Sequence, residues 1–219
     1  MTDTASLDDL RRAAQNDVRS LRDKIDHLSD EQIGLILSEA RSHYNWTDKP
    51  VTDDLLHKLY DIARMGPTSM NTCPARFTFV RSQMGKEKLA SALKPANVPK
   101  VIKAPVTVII AYDLDFWTHL LKLFPHEDRR PHFKGKPDHI KDTAFRNSTL
   151  QGAYLMIAAR AIGLDVGPIS GFDNAVVDEA FFKDTTLKSN FLCNLGYADE
   201  TALFQRLPRF DFNDVCTVI

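Results

Sequence analysis

The strongest constraint on the fold of this chain is an apolar run at residues 105–112, with the sequence PVTVIIAY. β-Branched side chains dominate the run, which lacks the polar–apolar alternation typical of a strand with one face in water. A strand of this composition is covered on both faces, so the run predicts the central strand of a layered structure. Shorter apolar segments predict further strands at residues 77–79 and 190–195.

Segments with helical periodicity surround these strands. The periodicity predicts helices at residues 7–28, from 29 or 30 to 42, and at 52–65, 86–93, 98–103, 140–162 and 174–181. Because helices and strands are interleaved, the pattern predicts an α/β or α+β sandwich. The length of 219 residues suits one large domain.

The overall charge favours neither a nucleic-acid nor a membrane partner. The formal net charge is −1 and the pI is about 6.6, whereas binding to polyanions needs clustered positive charge. No run reaches the roughly 18 apolar residues of a membrane helix. The cysteines, Cys73, Cys193 and Cys216, are odd in number and lack metal-ligand spacing, and the histidines at 126, 132 and 139 suit no single helix face. We therefore expect a cytoplasmic protein without a metal.

Four separated polar clusters are the candidates for chemistry. They lie at residues 41–46, 67–71, 167–172 and 206–209. Guanidinium groups match phosphate oxygens, hydroxyl and amide side chains suit ring heteroatoms, and a glycine-rich turn lets backbone N–H groups approach a ligand. Together the clusters could bind a phosphorylated ring. Each cluster alone also has a structural interpretation as a helix end, a turn or a charged surface.

The order of these clusters resembles the FMN-dependent nitroreductase family from about residue 38 to the C-terminus. The matching motifs are Arg41-Ser42, the loop 67–74, the segment 163–172, and Arg206 with Arg209. Within the family, the runs GPTSMN, PARF, LFPH, AFRNS, GPISGFD, LKSN and RLPR are most similar to a branch that reduces malonic semialdehyde in pyrimidine utilisation. The resemblance implies an α+β fold, a nitroreductase-like three-layer α/β/α sandwich around a mixed, mostly antiparallel sheet. Residues 38–219 would form this FMN-binding domain, and residues 1–37 an N-terminal helical extension.

The resemblance also implies a cofactor site and a mechanism. NADPH or NADH would reduce FMN, and the reduced FMN would then reduce a small-molecule substrate in a ping-pong cycle. The flavin N5 would carry the chemistry, with water or Ser170 as the source of the product proton. The implied assembly is a homodimer with FMN at the subunit interface. The residues implied to bind FMN are Arg41, Ser42, Pro67, Thr68, Ser69, Asn71, Pro168, Ile169, Ser170, Gly171, Arg206 and Arg209.

The chain departs from the wider family at two places. Ala40 and Tyr44 stand where many members carry basic residues, and Cys73 and Ala75 stand where nitroreductases often have Gln and Trp. Three functions therefore stay open: a malonic semialdehyde reductase, a broad nitroaromatic or quinone reductase, and a flavin-binding protein without turnover. For a carboxylated substrate, the candidate cations by loop position are Arg76, Arg129, Arg130 and Arg146.

Overall fold

The computed structural model describes residues 6–219, so the first five residues of the predicted extension lie outside the described residues. The chain divides into two compact units, Met1–Ala40 and Arg41–Ile219. The helices are α1 Leu7–Arg22, α2 Asp30–Ile33, α3 Asp53–Ala63, α4 Gln83–Ala90, α5 Val98–Lys103, α6 Leu120–Leu123, α7 Pro137–Ala161, α8 Asn174–Phe181 and α9 Phe212–Val215. The strands are β1 Ala75–Val80, β2 Val106–Asp113, β3 Asp165–Ile169 and β4 Leu187–Gly196.

The first unit carries α1, which is shorter than the predicted helix 7–28. Ser6 begins the helix with a capping box, in which its hydroxyl accepts a hydrogen bond from the Asp9 backbone N–H. No residue of α1 is buried, so its apolar stripe is exposed. The helix predicted from residue 29 or 30 to 42 is instead the short α2 followed by one π-helical turn, Gly34–Ser38.

The second unit is built on a four-stranded sheet in the order β1-β2-β4-β3. All three strand pairs are antiparallel, and β2 is central, between β1 and β4. A parallel contact is added by the isolated bridge between Ser42 and Val166. The predicted α+β class is confirmed, as is the central position of the apolar run.

Helices cover both faces of this sheet because β2 is apolar on both sides. Val106, Val108 and Ile110 pack with α3 and α7, whereas Ile109 and Ala111 pack with α4, α5 and α8. Every residue of β2 is buried. The result is the predicted three-layer α/β/α sandwich. None of the helices within residues 6–219 combines the length and apolarity needed to span a membrane.

One strand was missed by the sequence analysis. Residues 167–171 were interpreted as a turn, but Gly167, Pro168 and Ile169 belong to β3. Pro168 is tolerated because β3 is an edge strand, where a missing N–H need not interrupt the ladder. Gly163, with φ +83°, ends the long helix α7 as predicted and leads the chain into β3.

Candidate functional site

The first and third clusters meet along the edge strand β3. The His43 backbone N–H donates to the Val166 carbonyl at 2.9 Å. At Gly167, a Cβ atom would lie 2.4 Å from the His43 carbonyl oxygen, so this close approach requires glycine. The segment that carries Arg41 and Ser42 is thereby fixed beside Pro168.

The Arg41 side chain joins the first cluster to the segment that leads to the fourth cluster. The Arg41 guanidinium donates to the Phe204 carbonyl, which brings the chain that leads to Arg206 alongside the first cluster. Arg206 and Arg209 are exposed, and Arg209 donates to the carbonyls of Leu207 and Pro208 at 3.0 Å. Arg206 and Arg209 therefore follow two and five residues after the point at which Arg41 binds the chain.

Beyond β3, the third cluster is held by the segment that precedes α5. The Gly171 carbonyl accepts hydrogen bonds from the Lys94 backbone N–H and from Asn97 Nδ2, both at 3.0 Å. Ile169 is buried in the core on that face of the sheet, whereas the predicted proton donor Ser170 is exposed. The hydrogen bonds from Lys94 and Asn97 therefore fix the backbone of this cluster at Gly171.

The second cluster, the loop 67–74, lies at the opposite edge and leads into β1. Met70, Asn71 and Cys73 adopt left-handed conformations, with φ of 49°, 51° and 40°. Such conformations cost on the order of 1 kcal/mol or more for residues other than glycine, so surrounding contacts must maintain them. Cys73 N–H donates to Thr68 Oγ1 at 3.1 Å within the loop.

Two buried polar residues of α7 hold this loop and were missed by the sequence analysis. Asn147 Oδ1 accepts from the Ser69 N–H at 2.8 Å, and Gln151 Oε1 accepts from the Ala75 N–H at 2.9 Å. They are four residues apart and therefore share one helix face. The sequence did contain a signal for them, because two polar residues lie on the buried face of a predicted helix.

A cavity of about 830 Å³ lies beside the loop. Asn71 lines it and donates from Nδ2 to the Leu123 carbonyl at 2.8 Å. Arg64, Arg76, His119 and Lys122 supply a basic lining, and the polar Gln151 lies at the wall. The cavity therefore suits a small anionic or polar ligand.

Of the four arginines suggested for a substrate carboxylate, Arg76 lines this cavity. Its guanidinium also pairs with the buried Asp113 at 2.6 Å and donates to the Cys73 carbonyl at 3.1 Å. Arg129 pairs with Glu127 at 2.7 Å. Arg130 is bidentate to Asp128, which lowers the pKa of that carboxyl to about 2. Arg146 is exposed on α7 and is absent from the lining.

The two halves of the predicted site are separated by the sheet itself. The loop 67–74 precedes β1 at one edge, whereas residues 41–42 and 168–171 lie at the other edge, around β3. Three strand spacings separate these edges, about 14 Å at 4.8 Å per spacing. One chain therefore brings the first and third clusters together and leaves the second cluster apart.

This fold is that of a family of proteins. The model of the Nitroreductase family matches residues 37–197, and the chain belongs to that family. A protein of Burkholderia lata named as an NADH dehydrogenase/NAD(P)H nitroreductase is 54% identical over 191 residues, covering 87% of this chain and 98% of the relative. A similarly named protein of Rhodopseudomonas palustris is 52% identical over 192 residues, covering 88% and 98%.

Solved structures confirm the fold. A nitroreductase from Bacillus subtilis aligns with a TM-score of 0.77 and 19% identity over 87% of this chain and 100% of its own. A nitroreductase from Exiguobacterium sibiricum, in complex with FMN, aligns with a TM-score of 0.76 and 24% identity over 88% and 99%. The family match begins at residue 37, so α1 lies outside it.

Proposed function

We propose that this protein is an FMN-dependent NAD(P)H oxidoreductase that reduces malonic semialdehyde, or a similar small aldehyde acid, to the alcohol. The observation that carries the proposal is the position of Arg41 and Ser42 beside β3, where Arg41 also binds the Phe204 carbonyl in the chain that leads to residues 206–209. This donor set fits a phosphate, because guanidinium forks and a hydroxyl match its oxygens. The Burkholderia lata and Rhodopseudomonas palustris relatives, which share half of their residues with this chain, carry NAD(P)H-dependent names.

In this proposal each cluster has one task. Arg41, Ser42, Arg206 and Arg209 hold the phosphate. Residues 67–71 present hydroxyl and amide groups to the ring, with Asn71 at its pyrimidine edge, and residues 168–171 present backbone along the ring. FMN, when bound, supplies hydride exchange between the nicotinamide and the substrate. The exposed Ser170 hydroxyl or a water supplies the proton that completes the alcohol.

The basic lining of the 830 Å³ cavity supports a carboxylated substrate. Lys122 can pair with a carboxylate, whereas Arg64 pairs with Asp61 at 3.2 Å and Arg76 with Asp113 at 2.6 Å. Cys73 and Ala75 line the same cavity with small side chains. These features support a small acid as substrate, because its carboxylate would pair with Lys122.

The separation of the clusters supports a homodimer with FMN at the subunit interface. A two-fold axis can place the loop 67–74 of one subunit against the phosphate-binding edge of the other, so that each site uses both chains. The apolar side chains after residue 203 are also exposed in the single chain, among them Phe204, Phe210 and Ile219. A partner subunit would cover such a tail.

The first test is a visible spectrum of the purified protein before and after anaerobic addition of NADPH or NADH. Flavin bands near roughly 450 nm that bleach on reduction are expected. Anaerobic re-oxidation by malonic semialdehyde, at a rate well above that with nitrofurazone, is then expected for a small-acid site. A protein that stays colourless after FMN is added would contradict the proposal.

Two alternative functions give different outcomes in the same assay. A broad nitroaromatic or quinone reductase, which the names of the relatives favour, would be re-oxidised far faster by nitrofurazone. A flavin-binding protein without turnover, suggested by Ala40 and Tyr44, would keep its flavin oxidised with either nicotinamide. We also propose a cytoplasmic location, supported by the three cysteines, all of which are free thiols.

The shared site is tested by mixing two variants that are each unable to bind FMN. Asn71→Ala removes the proposed contact from the loop to the flavin ring. The double substitution Arg206→Ala/Arg209→Ala removes two proposed contacts to the phosphate. In a randomly reassociated dimer population, a shared site restores FMN binding in about a quarter of all sites, because each mixed dimer has one intact site. A site within one chain would show no recovery on mixing.

A further inference from the structure

Arg76 is the second residue of β1 and lines the candidate cavity directly after the loop 67–74. Its Nη1 donates to the Cys73 carbonyl at 3.1 Å and to the Ala75 carbonyl at 2.9 Å. Its Nη2 donates to Asp113 Oδ2 at 2.6 Å. One guanidinium group therefore joins the end of the loop to the end of β2.

The carboxylate that pairs with Arg76 is itself fixed. Asp113 is buried, and its Oδ1 accepts from the Asp115 backbone N–H at 2.8 Å and from Thr186 Oγ1 at 2.7 Å. Its own backbone N–H donates to the Pro74 carbonyl at 3.0 Å. Both oxygens of the carboxylate are engaged, so Asp113 holds the Arg76 side chain in one direction.

The contact from Arg76 reaches the part of the loop that has left-handed backbone. Cys73 has a φ of 40°, and its Sγ donates to Asn71 Oδ1 at 3.3 Å. Asn71 has a φ of 51°, and its Nδ2 donates to the Leu123 carbonyl at 2.8 Å. Such conformations persist where surrounding contacts maintain them, and the hydrogen bond from Arg76 to the Cys73 carbonyl is one of these contacts. The position of the Asn71 amide is therefore connected to the guanidinium of Arg76.

The same contacts separate Arg76 from a group that captures a free carboxylate. Both of its Nη atoms donate to acceptors of the protein, and its charge is paired with that of Asp113. A planar guanidinium held at both Nη atoms has a fixed orientation. This arrangement suits a residue that supports the loop.

We propose that Arg76, oriented by Asp113, is a positioning residue that maintains Cys73 in its left-handed conformation and thereby directs the Asn71 amide toward the flavin ring. The inference rests on the proposed function, because it assumes that Asn71 meets the ring. Arg76 then affects flavin binding without contacting the flavin. Its loop position suggested a role in substrate binding, whereas its pairing with Asp113 indicates a role in the loop.

Arg81, directly after β1, provides a matched control. Its Nη1 pairs with Asp53 at 2.7 Å and donates to the Val51 carbonyl at 3.3 Å. Like Arg76, it combines an ion pair with a hydrogen bond to a backbone carbonyl, but none of these partners belongs to the loop 67–74. Arg81→Met therefore removes comparable contacts at the other end of the strand.

The first experiment titrates flavin-free protein with FMN and with riboflavin, which has the same ring system and no phosphate, by fluorescence quenching. Arg76→Met is expected to lose about tenfold in affinity for both flavins, the effect of one hydrogen bond that involves a charged group. Arg76→Lys should recover little, because one ammonium nitrogen cannot reproduce two Nη contacts that point in different directions. Arg76→Met/Asp113→Asn leaves no buried carboxylate unpaired, so it tests the same loss in a protein without that cost to folding. Arg81→Met should bind both flavins as the wild type does.

The second experiment measures the alkylation rate of Cys73 in flavin-free protein by mass spectrometry, with the exposed Cys216 as internal reference. Release of the Cys73 carbonyl should raise the rate at Cys73 severalfold in Arg76→Met and leave the rate at Cys216 unchanged. Arg76→Lys should show the same increase, which separates the conformation of the loop from the effect of a positive charge on the thiol. Arg81→Met should show no increase.

The other outcomes overturn the inference in distinguishable ways. A loss of FMN affinity alone would make Arg76 a phosphate contact. Unchanged flavin affinity with a raised KM for malonic semialdehyde would make it a substrate-binding group. Equal losses for Arg76→Met and Arg81→Met would show a general effect on the fold. An unchanged alkylation rate at Cys73, in a wild type that binds flavin, contradicts the role of Arg76 alone, whereas a wild type that binds neither flavin contradicts the proposed function as well.

Discussion

At the scale of single residues, the loop 67–74 depends on acceptors that lie outside it. Its left-handed residues would relax without contacts that maintain them, and Asn147 supplies one such contact through the Ser69 N–H. Asn147 Nδ2 is itself fixed by the Thr143 carbonyl at 2.8 Å. The side chain therefore joins α7 to the loop with both polar atoms engaged.

Asn147→Ala is expected to weaken FMN binding as well as stability. Leaving the Ser69 N–H and the Thr143 carbonyl without this partner costs about 1–3 kcal/mol in the free energy of unfolding, measured by urea denaturation. Asn190→Ala is the matched control, because Asn190 donates to Ser148 and Thr149 of the same helix and does not contact the loop. If the control lost as much FMN affinity as Asn147→Ala, the loop-holding role would be wrong.

His43 gives the fold a dependence on acidic pH. Burial lowers the pKa of His43 below its ordinary 6.5, and Asp165, 3.4 Å away, only partly opposes this effect. Between the folded and unfolded pKa values, the unfolded chain binds more protons. The free energy of unfolding contributed by His43 therefore falls as the pH drops below about 6.5.

Substitution separates this contribution from the other titrating groups. His43→Gln is expected to flatten the dependence of unfolding free energy on pH below 6.5, measured by denaturation at a series of pH values. An unchanged slope in His43→Gln would show that other groups determine the acid sensitivity.

At the scale of elements, the position of the first cluster depends on Gly167 of β3, which has no side chain. Gly167→Ala places a Cβ atom 2.4 Å from a backbone oxygen of His43, which cannot rotate away as a side chain could. We expect a loss of about 1–3 kcal/mol in stability and a marked loss of FMN affinity, as the segment moves away from the strand. Calorimetry and flavin titration measure the two effects.

The control for this change is Gly34→Ala. Gly34 has helical φ and ψ of −53°, and the atom nearest to a Cβ added there would be Glu39 Cγ at 3.6 Å. Alanine fits there without strain, so stability should be unchanged or slightly increased. Equal effects of the two substitutions would contradict the close-approach argument.

The elements that sequence analysis recovered are those with local signals. The apolar run of β2 and the periodicity of α7 determine both elements within a few residues. The strand β3 was missed because its glycine and proline are typical of turns, and only its pairing with β4 shows it to be a strand. Asn147 and Gln151 were missed for a related reason, since their partners come from distant segments.

At the scale of the whole molecule, the exposed C-terminal tail is the segment whose removal tests assembly. Deletion of residues 210–219 leaves Arg209 in place and removes Phe210, Phe212 and Val215, all of which are exposed. We expect analytical ultracentrifugation to show a shift from dimer to monomer, together with a loss of FMN affinity, because the shared site would be incomplete. A full-length protein that sediments as a monomer after dilution would contradict the homodimer.

The three thiols differ so strongly in environment that the native protein carries its own chemical reporters. Burial raises the pKa of Cys193 to about 12, so this thiol stays protonated and unreactive at neutral pH. Cys73 lines the candidate cavity, and Cys216 lies exposed in the C-terminal tail. Alkylation followed by mass spectrometry can therefore test the proposed cofactor occupancy at one cysteine and the proposed subunit association at another, with no engineered label.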